Sequence, residues 1–387
     1  MNKKELELYI HIPFCVRKCS YCDFLSAPAT EQTREAYMAA LFAEIGGRAK
    51  DYSDRTVTSI FIGGGTPSLL SGEQIGQLMD RIREQFAMAQ DAEITMEVNP
   101  GTASAEKLRN FYTAGINRLS IGMQSAQAEE LKNLGRIHDF EGFCQVYREA
   151  VEAGFTNINV DIMSGLPGQT LVSYKDTLEK VLHLEPMPQH ISAYSLIVEE
   201  GTPFAAMAER GELPLPEEET ERAMYEETIE VLAKYGFHRY EISNYARDGY
   251  ECRHNVGYWI RRDYLGFGIG AASLIDNVRF QNEKSLGAYL AHPLESREEE
   301  QTLTVQDRME ETMFLGLRLT RGVSCVDFAE QYGRTVEEVY GEVIARNVAD
   351  GLLTVTERKE NQKKDRFLAL TKRGLDLSNY VMAQFLF

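Results

Sequence analysis

The chain is 387 residues long, 43% hydrophobic and 26% charged, with a formal net charge of −18. This length allows a large domain with a full core and a smaller second one. The acidic balance excludes nucleic acid and anionic membrane surfaces as default partners, and no segment reaches the apolar length of a membrane span.

In chain order, the opening run LELYIHIPF is too short for a signal peptide and leads straight into cysteines. β-Rich runs then alternate with amphipathic stretches. Strands are expected at 6–12, 57–63, 93–99, 117–123, 157–163 and 190–197. Helices are expected near 32–48, 72–86, 104–113, 139–153 and 171–183. Strand–helix alternation implies a parallel sheet with right-handed crossovers. Six such units predict an α/β fold, a partial (β/α)6 barrel whose working end is the C-terminal edge of its strands. A doubly wound open sheet is the alternative.

The strands are polar on one face. Ile94, Met96 and Val98 oppose Glu93, Thr95, Glu97 and Asn99; Ile158, Val160 and Ile162 oppose Asn159 and Asp161; Leu119 and Ile121 oppose Ser120, Gly122 and Gln124. A sheet covered on both sides reads as nearly continuous apolar residues. These strands therefore line a wet, ligand-holding interior, or else one face meets solvent.

Beyond the repeats, 212–237 reads as a proline-marked linker and a long acidic helix, and 239–292 is aromatic and glycine-rich with weak periodicity. From about 303 come helices, two short strands at 352–356 and 366–370, and a closing helix near 371–385, an order that suggests a small winged-helix-like domain. The expected division is 1–235, 236–300 and 301–387. The basic run RKENQKKDR (358–366) reads as the solvated tip of a hairpin.

Cys15, Cys19 and Cys22 form C-x3-C-x2-C, whereas Cys144, Cys252 and Cys325 stand singly. That usage argues against a disulfide framework and for a reducing, cytoplasmic setting. Thiolates select zinc, copper(I) or iron–sulfur clusters. Zinc would need His11 or a distant residue as its fourth ligand, and no second ligand pair exists. Three thiolates on one loop suit a 4Fe–4S cube with one iron left open. FIGGGTPS (61–68) places three glycines after a strand, where the backbone can approach a ligand, and it lacks the G-K-[ST] of a phosphate loop. Glu97, Gln124 and Asp161 project from strand ends, with Arg136 nearby in LGRIH. Carboxylates there can hold a ribose diol or a sulfonium charge, and arginine can take a carboxylate.

YIHIPFCVRKCSYCDF, GGGTPS, EVNPGT, INRLSIGMQS, LGRIH, NINVDIMSGLPGQT, YEISNYA and HNVGYW together resemble the HemN/HemW group of radical S-adenosylmethionine (SAM) proteins. The similarity runs from about residue 6 to LTKRGLDLSNYVMAQFL (370–386). It implies a radical SAM partial barrel with 4Fe–4S ligands at Cys15, Cys19 and Cys22. The implied SAM contacts are Tyr9, Tyr21, Gly64, Gly65, Thr66, Glu97, Gln124, Arg136 and Asp161.

Two functions compete within that group. One branch is the oxygen-independent coproporphyrinogen III oxidase, which decarboxylates two propionates through a SAM-derived radical. The other is a heme-binding chaperone that delivers heme to recipient hemoproteins, membrane-associated respiratory enzymes among them. The oxidase branch carries a further cysteine where this chain has Phe24, and a longer N-terminal extension. ECRHNVGYW (251–259) matches the motif associated with the heme-binding branch, so the resemblance points to the chaperone. It implies heme contact at His254, with Cys252 as a second axial candidate and Tyr258 and Trp259 as flat apolar surface. The residue-level alternative is that His254 and Asn255 form a satisfied polar pair beside core aromatics. Ala272, in GFGIGAASL, stands where relatives often have histidine. That run also looks like a dinucleotide fingerprint, but in the wrong strand–helix context.

Overall fold

The computed structural model describes residues 4–295, 297–360 and 363–386. Six parallel strands lie side by side in chain order: β1 (Lys4–Ile12), β2 (Arg55–Gly64), β3 (Ala87–Val98), β4 (Arg118–Gln124), β5 (Ile158–Ser164) and β6 (His190–Ser195). The five expected helices return between them, at Glu31–Arg48, Gly72–Gln85, Ala105–Thr113, Phe140–Ala153 and Leu171–Leu182. Local signals set their starts: Ser71 with Gln74, and Thr170 with Ser173, form reciprocal capping boxes that satisfy N-terminal amides. The apolar strand faces pack under these helices, with Leu8, Ile60, Met96, Ile121 and Val160 excluded from solvent.

The aromatic stretch after the repeats holds more order than its weak periodicity suggests. β7 (His238–Arg239) and β8 (Asn244–Ala246) extend the sheet antiparallel beyond β6. On the other side β9 (Tyr264–Phe267) runs parallel to β1, followed by antiparallel β10 (Ala272–Ile275), β11 (Val278–Asn282) and β12 (Arg297–Thr302). The result is a twelve-stranded sheet that, among the described residues, ends at β12 on one side and β7 on the other. It is thus an open barrel segment. β12 reads REEEQT and is exposed throughout.

The long acidic helix spans Glu218–Lys234. The C-terminal region has helices Val305–Gly316, Cys325–Tyr332 and Val336–Ala349 and a second sheet of β13 (Val323–Ser324), β14 (Leu353–Glu360) and β15 (Lys363–Leu370), in the order β13-β15-β14. This is the expected winged-helix-like order, with its own core around Met313, Phe328, Tyr340, Leu368 and Phe385. Residues 361 and 362 of the basic run 358–366 lie outside the described residues. Two short helices, Lys372–Asp376 and Ser378–Ala383, replace the single closing helix expected. Among the described residues no helix is long and apolar enough to cross a membrane.

Candidate functional site

The cysteine loop leaves β1 and is tied at its root and its tip. Cys15 N–H donates to Ala27 O (3.2 Å), Thr66 N–H to Phe14 O (2.7 Å) and Ser20 N–H to Leu134 O (3.0 Å). Lys18 Nζ donates to Phe24 O at 2.9 Å. Cys15, Cys19 and Cys22 are free and half-buried. Thr66 Oγ1 donates to Cys15 Sγ at 3.4 Å, and Arg136 Nη1 approaches Cys19 Sγ at 3.8 Å. Burial pushes the Cys22 thiol up, and charge on Cys19 and Cys15 adds to the shift. Among the described residues no three His, Cys, Asp or Glu side chains are grouped for one metal ion. A cubane asks something different of a protein, one thiolate on each of several irons. His11, the candidate zinc partner, has Nδ1 paired with Tyr9 OH (3.0 Å) and Nε2 with Leu25 O (2.8 Å).

All three thiols border a cavity of about 340 Å³ at the C-terminal ends of the strands. The sequence-derived residues Tyr21, Gly64, Gly65, Thr66, Glu97, Gln124, Arg136 and Asp161 line it with them. The polar strand faces are therefore its walls, as the alternation predicts. Glu97 Oε2 accepts from Gly64 N–H at 3.0 Å, and Asp161 accepts from Asn159 Nδ2 at 2.7 Å and from Ser120 Oγ at 3.2 Å. Burial pushes Glu97 up to about 8, with Asp161 adding to the rise; Asp161 is also raised, chiefly by burial. Two half-buried carboxyls with raised pKa values make a setting that a bound cation would relieve. Arg136 gives Nη2 to Gly122 O at 2.6 Å and keeps its buried Nε unpartnered. Gln124 sits at φ 70° beside a register shift between β4 and β5, which re-aims its side chain at the strand end. Arg118, Ser192 and Tyr194 also line the cavity and were not singled out from the sequence, and Asn255, expected as half of a polar pair with His254, lines it too. Arg118 opens a strand, so its charge reads as a solvated end until β3 and β5 enclose it.

The helix Arg253–Trp259 crosses behind this cavity. Glu93 anchors its N-terminus, accepting from the N–H groups of Arg253 and His254 at 3.2 Å each. Asn255 reaches the strand-end cavity, whereas Tyr258 and Trp259 face a second one of about 570 Å³. The two cavities share Phe24, Gly64 and Glu97, and Tyr9 and Ala272 line the second. His254 lines neither. It is 1% exposed, with Nδ1 paired to Ser59 Oγ (2.8 Å), Nε2 paired to Tyr258 OH (2.9 Å), and its ring stacked on Phe61. Burial lowers its pKa to about 3, so the imidazole is neutral and positions the Tyr258 ring. Cys252 is sealed in as well: its thiol lies 3.5 Å from Glu93 Oε1, and burial pushes it up to about 12.

Glu7, also fully buried, lies 3.8 Å from His254 Nδ1 and 3.2 Å from Arg262 Nη1. Burial raises its pKa from 4.5 to about 8, with Arg262 opposing and Glu93 reinforcing the shift. A carboxyl raised in the folded state contributes stability that is complete below pH 4.5 and is lost as pH climbs to about 8. Glu7→Gln is expected to lessen the fall in melting temperature across that window, measured by thermal denaturation at closely spaced pH values. An unchanged slope would show that Glu7 is ionised throughout.

Comparison with known proteins matches these two regions in turn. The Radical SAM superfamily model matches residues 9–181, and the HemN C-terminal domain model matches 303–377. The E. coli structure described as coproporphyrinogen III oxidase (HemN), a radical SAM enzyme, superposes with a TM-score of 0.84 at 28% identity, covering 100% of this chain and 91% of that one. The fold is that of a radical SAM protein. A "Heme chaperone HemW" of Bacillus subtilis is 38% identical over 98% of both chains, and one of Lactococcus lactis is 36% identical over 100% of this chain and 98% of its own. An E. coli protein of the same name is 37% identical over 90% of this chain and 92% of its own. The chain belongs to the HemW family.

Proposed function

We propose that the protein is a heme chaperone that binds heme in the second cavity and transfers it to recipient hemoproteins, membrane-associated respiratory enzymes among them, from the cytoplasm. The observation that carries this reading is the 570 Å³ cavity walled by Tyr258 and Trp259, which adjoins the strand-end site and offers flat apolar surface to a macrocycle. The family relationship supports it. In this reading Cys15, Cys19 and Cys22 hold a 4Fe–4S cluster, and Tyr21, Gly64, Gly65, Thr66, Glu97, Gln124, Arg136 and Asp161 hold SAM, with Tyr9 at the junction with the second cavity. The free thiols, the glycine strip and the two half-buried carboxyls fit those groups. When bound, the cluster and SAM supply reductive radical chemistry. His254 acts through Tyr258 and not as the ligand of the heme iron.

The likeness to coproporphyrinogen III oxidase makes SAM-dependent decarboxylation the second reading. Against it stands Phe24, a 59% exposed phenyl ring at the junction of the cavities, where the oxidase branch has a cysteine. The test is an anaerobic assay of the cluster-reconstituted chain with SAM, a reductant and coproporphyrinogen III, run beside a heme titration. Saturable heme binding without protoporphyrinogen formation is expected. Sustained turnover would overturn the chaperone reading, and an absence of both would overturn both.

A further inference from the structure

The second cavity is electrically polarised. At one end it meets the strand-end site through Gly64 and the half-buried Glu97, and among the described residues no arginine or lysine lines that end. At the other, Arg279 of β11 forms part of the wall. Arg279 belongs to a triad that spans the two sheets' domains. Its Nη1 lies 2.8 Å from Glu311 Oε1, and Arg261 Nε lies 2.8 Å from Glu311 Oε2. Two guanidiniums thus share one carboxylate, and the triad carries a net positive charge. The Glu311 and Arg261 side chains are only 7% and 3% exposed, so water does little to screen that charge.

Hydrogen-bonding capacity is left over at the same end. Arg261 Nη2 and Trp259 Nε1 are buried donors without acceptors. Glu311 occupies Nη1 of Arg279 and the Tyr264 hydroxyl engages the same guanidinium, which has five N–H groups to give. The Arg279 side chain is 39% exposed, so these groups remain accessible to a ligand in the cavity. Glu311 lies on the helix Val305–Gly316, whose Phe314 and Leu315 line the cavity together with Tyr258 and Trp259.

On the basis of the heme reading above, we propose that the bound porphyrin enters with its propionate edge at Arg279, its macrocycle between the Tyr258–Trp259 wall and the Phe314–Leu315 wall. Glu311 and Arg261 act behind Arg279 as positioning residues. An amphiphile with two carboxylates at one edge has one favourable orientation in such a cavity: the carboxylates meet the cationic end at Arg279. That orientation turns the propionates away from the strand-end site, the reverse of what a decarboxylation initiated there would need. It also makes the C-terminal domain part of the seat, since the second apolar wall and Glu311 both come from it.

The experiment titrates the cluster-reconstituted full chain with ferric heme and, in parallel, with heme dimethyl ester, whose propionates are masked. Wild type is expected to bind heme on the order of ten-fold or more tightly than the ester, the usual worth of a charge-assisted hydrogen bond. Arg279→Met should remove that preference, leaving ester affinity within about two-fold of wild type, and Arg279→Lys should restore part of it. Cluster absorption reports folding of each variant. Equal wild-type affinity for heme and ester overturns the orientation, and so does an Arg279→Met loss that is the same for both ligands. If wild type binds neither ligand, the heme reading itself fails.

Discussion

Gly65→Ala is expected to abolish SAM binding and to loosen the root of the cysteine loop. A Cβ at this position would lie 2.7 Å from Phe14 O, 2.8 Å from Ile12 O and 2.8 Å from Phe14 N. All three are backbone atoms, so no rotamer change can relieve the clash. The same strip is stitched to the loop by Gly65 N–H donating to Ile12 O (2.8 Å) and Thr66 N–H to Phe14 O (2.7 Å). Forcing a methyl between them moves either the glycine backbone or Phe14, which precedes the first cysteine. Overpacking of this kind costs about 1–3 kcal/mol, and displacement of the ligand-facing backbone costs affinity besides. Gly76→Ala is the control: it lies in the helix Gly72–Gln85 with nothing within 4 Å of a built Cβ, and should be neutral or stabilising by about 0.5–1 kcal/mol. Equilibrium dialysis of SAM and thermal melting check both. A Gly65→Ala protein that binds SAM as wild type does would show that the strip is not part of the ligand's seat.

Replacing any one of Cys15, Cys19 or Cys22 by alanine is expected to take iron from about four per chain to near none after anaerobic reconstitution. Two thiolates do not hold a cube that three support. No other cysteine is placed to replace the lost one: Cys252 is fully buried against Glu93, and neither Cys144 nor Cys325 lines the cavity. Cys144→Ser should retain full iron content. The fold itself should persist, because the loop is also held by Cys15 N–H to Ala27 O and Ser20 N–H to Leu134 O. Iron analysis and visible absorption, with far-ultraviolet circular dichroism for folding, check these outcomes. Retention of a full iron complement by all three single variants would remove the cysteine loop as the cluster site.

The six parallel strands were legible because period-two alternation survives even where one face is polar, and their helices carry capping signals within a turn of the observed ends. The pairing of β9 with β1 was not legible. It joins Glu7 to Tyr264 and Phe267 to Ile10, residues more than 250 positions apart, and nothing local marks a four-residue strand as the next one in a parallel sheet. The glycine-rich run that resembled a dinucleotide fingerprint is the turn region between β9 and β10. The cluster cysteines and the cavity-lining residues stood out because chemistry and spacing coincide in them. His254 shows the limit of that reasoning. The motif points to a helix that borders both cavities, but which of its residues face a cavity depends on Ser59, Phe61 and Glu93 from two strands. Those partners turn the imidazole inward and leave Asn255, Tyr258 and Trp259 to meet the two cavities.

The open sheet has a further consequence. A closed barrel has no edges, whereas this one, among the described residues, ends in an edge strand on each side, and unpaired N–H and C=O rows are templates for another chain. β7 offers only two residues on which a foreign strand could register. β12 is longer but presents Glu298, Glu299 and Glu300 in succession, with Glu299 at φ 52° breaking the extended backbone. A second copy docking edge to edge would set glutamates against glutamates along a bent strand. Edge-to-edge pairing of two copies through β12 is thus disfavoured by charge and by backbone geometry.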